Sequence, residues 1–82
     1  MTSDLIVYTT GWCPYCRRLQ ADLDGLGVVY RAVDVDEDDA AAVLVTEINH
    51  GNRVVPTVVF PDGSSLTNPA AGEVTARLAA LR

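Results

Sequence analysis

The stretch Trp12-Cys13-Pro14-Tyr15-Cys16 holds both cysteines of the 82-residue chain and lies where an apolar, strand-like run gives way to helical spacing. Two cysteines with two residues between them allow one thiol to attack a disulfide and the other to attack the mixed disulfide that results. A helix beginning at Pro14 would direct its unpaired amide groups and positive dipole end at Cys13, at or near the N-cap. A thiolate would be stabilised there, so we expect the reactivity of the chain to centre on this stretch.

The residues that follow repeat at helical spacing from Pro14 to about Leu26. One face of this predicted helix carries the apolar residues Cys16, Leu19, Leu23 and Leu26. We therefore expect Cys16 to be the buried sulfur and Cys13, at the helix entrance, to be the exposed one. On this basis Cys13 is the predicted nucleophile and Cys16 the predicted resolving thiol.

Strand and helix patterns alternate along the rest of the chain. Strands are predicted at residues 5–10, 28–35, 54–60 and 64–66, and further helices at residues 40–48 and 69–81. The turn at residues 61–63 makes the last two strands an antiparallel hairpin. The order β-α-β-α-β-β-α predicts a single α/β domain over residues 1–82, with one four-stranded mixed sheet flanked by three helices.

Three short segments carry local predictions. The acidic run 36–39 precedes the second helix, where the helix dipole favours negative charge, with a docking surface for a basic partner as the alternative. Asn68 and Pro69 form a predicted N-cap and first-position pair for the third helix. His50 falls in the turn after the second helix, and we interpret it as a solvated loop residue, not as a base or metal ligand.

Composition limits the classes of partner. The formal net charge is −5 and all six cations are arginines, so no basic surface for nucleic acid or a membrane is expected. The apolar run at residues 5–8 is too short to span a bilayer and follows no basic residue. We expect a cytoplasmic protein whose cysteine pair is catalytic or metal-binding and largely in the dithiol state.

The order of elements, the Cys13-Pro14-Tyr15-Cys16 tetrad and Val55-Pro56 together resemble the glutaredoxin family of the thioredoxin fold. The resemblance covers nearly the whole chain. It implies a thiol-disulfide oxidoreductase with Cys13 and Cys16 as catalytic residues and with no metal or tightly bound cofactor. It also implies a cis Val55–Pro56 bond against the active cysteine, with the Val55 backbone pairing to the main chain of a bound thiol.

Residues 9–13, 52–57 and 62–69 are similar, more narrowly, to the mycoredoxins, the glutaredoxin subgroup that uses mycothiol. This similarity implies mycothiol as the reducing co-substrate, regenerated by an NADPH-dependent reductase. The implied partners of a monomeric enzyme are mycothiolated proteins or small-molecule disulfides. Trp12 and Tyr15, which flank the predicted nucleophile, are candidate contacts to the bound thiol.

The segment before the last helix differs from that of common glutathione-binding glutaredoxins. Those proteins have Gly-Gly-x-Asp, whereas this chain has Thr67-Asn68-Pro69-Ala70. Glutathione carries two carboxylates and an amine, while mycothiol carries sugar and inositol hydroxyls, which the neutral groups of Thr67 and Asn68 suit. Arg17 and Arg18 could still bind a carboxylate, so a glutathione-dependent glutaredoxin is an alternative.

Two other functions share the fold and the cysteine pair. One is a redoxin reduced directly by thioredoxin reductase that donates electrons to ribonucleotide reductase. Such relatives carry a Trp-Ser-Gly-Phe-type segment before the last helix, and Trp12 is the single tryptophan here. The other is an iron-sulfur cluster carrier, which would need two subunits and two external thiols because two cysteines cannot supply four ligands.

Overall fold

Residues 5–81, which the computed structural model of the protein describes, form four strands and three helices in the predicted order. The elements are β1 (Ile6–Thr9), α1 (Pro14–Gly25), β2 (Arg31–Asp34), α2 (Asp39–Ile48), β3 (Thr57–Val59), β4 (Ser65–Thr67) and α3 (Ala71–Ala80). The predicted domain bounds, 1–82, also include residues 1–4 and 82, which lie outside the described part of the chain. The strands are shorter than the apolar runs that predicted them.

The four strands form one mixed sheet in the order β2-β1-β3-β4. Strand β1 pairs parallel with β2, Tyr8 standing opposite Val33, and antiparallel with β3, Tyr8 standing opposite Thr57. Strands β3 and β4 form the predicted antiparallel hairpin. The predicted four-stranded mixed sheet is therefore confirmed, with β1 at its centre and the cysteine stretch directly after the carboxyl end of β1.

Each face of the sheet is covered by helices. Leu5 and Val7 point to a core that contains Leu19 and Leu23 of α1 and Val74 of α3. Tyr8, one position along, points to the opposite face and packs with residues of α2 and with Val35. Alternate residues of a strand face opposite sides of a sheet, so the single run at β1 builds both cores.

The acidic run before α2 caps that helix, as predicted. Asp38 is the N-cap residue, and its Oδ1 accepts a hydrogen bond from the amide of Ala41 at 3.0 Å. Asp39 lies in the first turn, where the helix dipole favours its charge. His50 is exposed in the turn after α2 with a φ of 56°, consistent with the loop interpretation.

The predicted burial of Leu26 is wrong, since this side chain is 60% exposed. Helix α1 ends in a Schellman motif, in which the amide of Gly27 donates to the Asp24 carbonyl and that of Val28 to the Leu23 carbonyl. Gly27 takes the required left-handed conformation, with a φ of 72°. The reversal turns Leu26 to solvent and packs Val28 against the core in its place.

The predicted cap of α3 is also wrong. The N-cap residue is Ala70, and Asn68 has a φ of 48°, outside the helix. The amide of Asn68 donates to the Pro56 carbonyl at 2.7 Å, so the chain stays attached to the β3 side of the hairpin before it turns. The Glu73 carboxylate accepts a hydrogen bond from the Ala70 amide at 3.0 Å, and this contact caps the helix from within.

None of the helices within residues 5–81 is both long enough and apolar enough to cross a lipid bilayer.

The two leucines at the end of α1 provide a test of the packing. We expect Leu23→Ala to lower the free energy of unfolding by about 2–5 kcal/mol, because it removes a fully buried side chain from the core. Leu26→Ala, the matched control at an exposed position, should cost less than about 0.5 kcal/mol. Urea denaturation followed by circular dichroism measures both values, and similar costs for the two variants would contradict this packing.

Candidate active site

Cys13 is the N-cap residue of α1, and Pro14 takes the first helical position, as predicted. The amide of Cys16 donates a hydrogen bond to Cys13 Sγ at 3.3 Å. The backbone of Cys13 is in turn held by the Thr10 carbonyl at the end of β1, at 3.5 Å from its amide nitrogen. The end of β1 therefore holds the backbone of Cys13, and the start of α1 holds its sulfur.

The segment before β3 covers Cys13. The Val55–Pro56 bond is cis, as the family resemblance implies, and the Val55 carbonyl oxygen lies 3.9 Å from Cys13 Sγ. This cover makes the predicted exposure of Cys13 wrong, since the residue is only 3% exposed. Local helix geometry places the sulfur at an open helix end, but a segment 42 residues further along the chain closes over it.

Cys16 lies one turn into α1, fully buried, as predicted from its place on the apolar face. Burial raises the pKa of the Cys16 thiol, and the hydrogen bond to Cys13 raises it further. The Thr9 hydroxyl and the Thr10 backbone act in the opposite direction without cancelling the rise. Cys16 is therefore a protonated thiol at neutral pH, next to a partner whose sulfur accepts a helix amide.

Gln20 supports this pair from the next turn of α1. Its side-chain Nε2 donates to the Thr9 hydroxyl at 3.2 Å, which links the helix to the buried end of β1 beside Cys16. The sequence did not indicate Gln20 as part of the site. The spacing of Cys16 and Gln20, four positions apart, was an available signal, since such residues share a helix face.

On the other side of Cys13, the predicted binding residue Trp12 contacts two residues that the sequence did not indicate as part of the site, Asp36 and Arg53. The indole Nε1 of Trp12 donates to Asp36 Oδ2 at 3.0 Å, and Arg53 donates to Asp36 Oδ1 at 2.9 Å. Arg53 also donates to the Val35 carbonyl at 2.6 Å. We call Trp12, Asp36 and Arg53 the rim cluster. The Trp12 ring remains 68% exposed, so it offers an oriented aromatic face beside the cysteine.

Tyr15 and Asn68, two of the predicted binding residues, come together on a groove of about 220 Å³ between α1 and the start of α3. Arg18 and Asp22 bring opposite charges to the same groove. Tyr15 is 66% exposed and lies two positions from Cys13. The lining of the groove thus includes the neutral hydrogen-bonding groups of Tyr15 and Asn68 and a pair of opposite charges further along α1.

Thr67 is not among the residues that line this groove, and its hydroxyl supports the fold of the site. Its hydroxyl donates to Asn49 Oδ1 at 2.6 Å, and Asn49 Nδ2 donates to the Thr57 hydroxyl at 3.2 Å. Thr57 directly follows the cis Pro56, and its hydroxyl donates to the Val54 carbonyl at 2.7 Å. These bonds tie α2, β3 and β4 together behind the segment that covers Cys13.

The glutaredoxin family model matches residues 5–65, a span that includes the cysteine stretch and the cis proline. The chain belongs to the glutaredoxin family. Mycoredoxin 1 of Corynebacterium glutamicum is 49% identical to this glutaredoxin over 79 residues, which cover 96% of this chain and 98% of the relative. A Mycobacterium tuberculosis protein named as a glutaredoxin is 51% identical over 78 residues, covering 95% of this chain and 93% of the relative.

Solved structures agree on the fold. The crystal structure of a thioredoxin-like protein superposes on this glutaredoxin with a TM-score of 0.75 and 27% identity, over 89% of this chain and 97% of the other. The predicted thioredoxin-like fold is confirmed. Family membership and fold together make this glutaredoxin a thiol-disulfide oxidoreductase, close to mycoredoxin.

Within residues 5–81, no three histidine, cysteine, aspartate or glutamate side chains lie close enough together to hold a metal ion.

The raised pKa of Cys16 predicts how it reacts with pH. Only the thiolate is alkylated, so a pKa above that of a free cysteine delays the rise in the labelling rate to higher pH. We expect Cys16 in reduced Cys13→Ser protein to react with iodoacetamide more slowly at pH 7.5 than after denaturation, with a rate that continues to rise into alkaline pH. Mass spectrometry measures the rates.

Reduced wild-type protein serves as the comparison, and there we expect Cys13 to be labelled before Cys16. Labelling of Cys16 first, or equally fast in folded and denatured protein, would contradict the burial of this thiol.

Proposed function

We propose that this glutaredoxin reduces mixed disulfides of mycothiol, with Cys13 as the nucleophile and Cys16 as the resolving thiol. The observation that carries the proposal is the near full-length similarity to Mycoredoxin 1. The geometry of the cysteine pair supports the two roles, because the two sulfurs differ in environment. Cys13 Sγ accepts a helix amide, whereas Cys16 is enclosed and kept protonated by burial.

The first step is a thiol-disulfide exchange. The Cys13 thiolate attacks the mycothiol sulfur of a mixed disulfide between mycothiol and a protein or small thiol. A new sulfur-sulfur bond joins mycothiol to Cys13, the original disulfide bond breaks, and the substrate leaves as a thiolate that takes up a proton. The amide of Cys16 holds the attacking sulfur at the start of α1 through a hydrogen bond of 3.3 Å.

Two routes return Cys13 to its starting state. A second mycothiol thiolate can attack the mycothiol sulfur held on Cys13, which frees Cys13 and forms mycothiol disulfide. Alternatively Cys16, once deprotonated, attacks Cys13 Sγ, releases mycothiol and forms an intramolecular disulfide that a later exchange reduces. The raised pKa of Cys16 favours the first route at neutral pH, since little Cys16 thiolate is present.

Four surfaces are suited to the mycothiol held on Cys13. The Val55 backbone, whose carbonyl already points at Cys13 Sγ, can pair with the cysteinyl amide of mycothiol as an added strand does. The groove beside Tyr15 and Asn68 offers neutral partners to sugar and inositol hydroxyls. Trp12 provides an exposed aromatic face. Thr67 keeps acceptor capacity while it donates to Asn49. Pro56, whose side chain is fully buried, directly follows Val55 and supports it from the core.

The proposed activity fits a reducing compartment, and we place it in the cytoplasm. Mycothiol is the reducing co-substrate and its reductase the source of electrons, so the exchange itself needs no tightly bound cofactor. Mycothiolated proteins and small-molecule disulfides are the proposed partners.

Substitution of each cysteine separates the two roles. Cys13→Ser should reduce turnover of a mycothiol mixed disulfide to background, because no other sulfur within residues 5–81 accepts a helix-terminal amide. Cys16→Ser, the matched control, should stay within about tenfold of wild type, because the route through a second mycothiol needs one cysteine only. The assay couples mycothiol disulfide formation to NADPH oxidation by its reductase. Wild-type activity in Cys13→Ser would contradict the assignment.

A comparison of matched substrates tests the choice of thiol. We expect kcat/KM for a peptide carrying a mycothiol mixed disulfide to exceed that for the same peptide with glutathione by about tenfold or more, since the site lacks the acid that common glutaredoxins offer the glutathione amine. Equal values would favour the glutathione-dependent alternative. Rapid reduction of the protein by thioredoxin reductase and NADPH without mycothiol would favour the ribonucleotide reductase donor.

A further inference from the structure

The rim cluster holds a carboxylate between two side chains of the proposed substrate entrance. Asp36 accepts from the Trp12 indole through one oxygen and from the Arg53 guanidinium through the other. Asp36 and Arg53 are 43% and 48% exposed, and their ion pair spans 2.9 Å. The arrangement is built by three distant parts of the chain: the turn after β1, the turn after β2 and the segment that precedes the cis proline.

The rim cluster borders the reacting sulfur. Trp12 directly precedes Cys13, and Arg53 lies two positions before Val55, whose carbonyl oxygen is 3.9 Å from Cys13 Sγ. A thiol compound that is joined to Cys13 and paired with the Val55 backbone therefore extends past these side chains. The charges of Asp36 and Arg53 therefore affect the affinity for charged thiol compounds.

Arginine is the side chain that binds carboxylates with paired hydrogen bonds, and a free arginine at this entrance would attract an acidic thiol. Here one guanidinium nitrogen of Arg53 donates to both the Val35 carbonyl and Asp36. Arg53 is thus already bound to a carboxylate from its own chain. The Asp36 carboxylate, which Trp12 also holds in place, offsets the charge of the guanidinium and so weakens the attraction of Arg53 for an incoming carboxylate.

We propose that Asp36 is a specificity-determining residue, whose carboxylate offsets the charge of Arg53 and so weakens its attraction for thiol substrates that carry a carboxylate. Such a device disfavours an acidic thiol such as glutathione without adding any contact to an uncharged one. This role for Asp36 rests on the proposed function, because weaker binding of carboxylates is useful to the enzyme only if its own thiol, mycothiol, has none. The masking of Arg53 is itself testable without mycothiol.

The test is Asp36→Asn, which removes the charge and keeps an oxygen that can accept from Trp12. We expect kcat/KM for a peptide-glutathione mixed disulfide to rise about two- to fivefold, the size of effect typical of exposed ion pairs. The same peptide joined to glutathione diethyl ester, which lacks carboxylates, should show no rise. Glu37→Gln is the matched control, since it makes the same charge change at the next residue, which is not part of the rim cluster.

Arg53 must be the group that responds. The gain from Asp36→Asn should disappear when the same change is made in an Arg53→Gln background, and should shrink as salt is added. Asp36→Ser, which removes the carboxylate at an exposed position with a small polar side chain, should reproduce the gain. An equal gain with the diethyl ester, an equal gain in Glu37→Gln, or a gain that persists without Arg53 would each overturn the proposal.

These outcomes are distinct from a failure of the proposed function. A wild-type protein that does not reduce the mycothiol mixed disulfide would remove the proposed substrate, yet the comparison of Asp36→Asn with Glu37→Gln on glutathione substrates would still decide whether Asp36 masks Arg53.

Discussion

The hydrogen bond from the Cys16 amide to Cys13 Sγ, 3.3 Å long, is the contact on which the arrangement of the site depends. It exists because α1 starts at Pro14, so that the first amides of the helix have no partner within the helix and meet the sulfur of the residue before it. The same helix carries Cys16 into the core one turn later. One helix start thus gives the two buried thiols different hydrogen-bonding environments, which is the basis for proposing different steps of an exchange reaction for them.

The cover over Cys13 depends on contacts at the other end of the chain. The segment with the cis proline is held by the Asn68 amide on the Pro56 carbonyl and by the bonds that join Thr67, Asn49 and Thr57. Arg53 attaches the start of that segment to the end of β2 through the Val35 carbonyl. The Val55 carbonyl is therefore positioned over the sulfur by contacts from α2, β2 and β4, and the site is a product of the whole sheet.

The chain has a net charge of −5, and the acidic residues of the run 36–39 make different contacts near the site. Asp38 and Asp39 serve the start of α2, where a helix N-terminus stabilises negative charge. Asp36, from the same acidic run, instead neutralises Arg53 and orients Trp12. Neighbouring acids of one run therefore have different functions, one concerned with folding and the other with the electrostatics of the entrance.

Much of the protein could be predicted from the sequence, because the decisive signals are local. The spacing of the apolar residues indicates the strands and helices. The position of Pro14 after Cys13 indicates that Cys13 is the N-cap residue of α1. The burial of Cys16 follows from its place on the helix face. Local signals gave wrong predictions at Leu26 and at Asn68. At Leu26 the backbone turns because the Val28 amide donates to the Leu23 carbonyl, and at Asn68 it turns because the Asn68 amide donates to the Pro56 carbonyl.

Only the tertiary structure decided what surrounds Cys13. Val55, Asp36 and Arg53 reach the site from positions separated by 17 to 42 residues from their partners, and no periodicity in the chain indicates such contacts. Whether a sulfur at a helix start is open or covered depends on segments brought to it by sheet pairing. The sequence by itself therefore determined on which elements the two cysteines lie and that Cys16 is buried, whereas the burial of Cys13 and its charged neighbours were decided by the packing of distant segments.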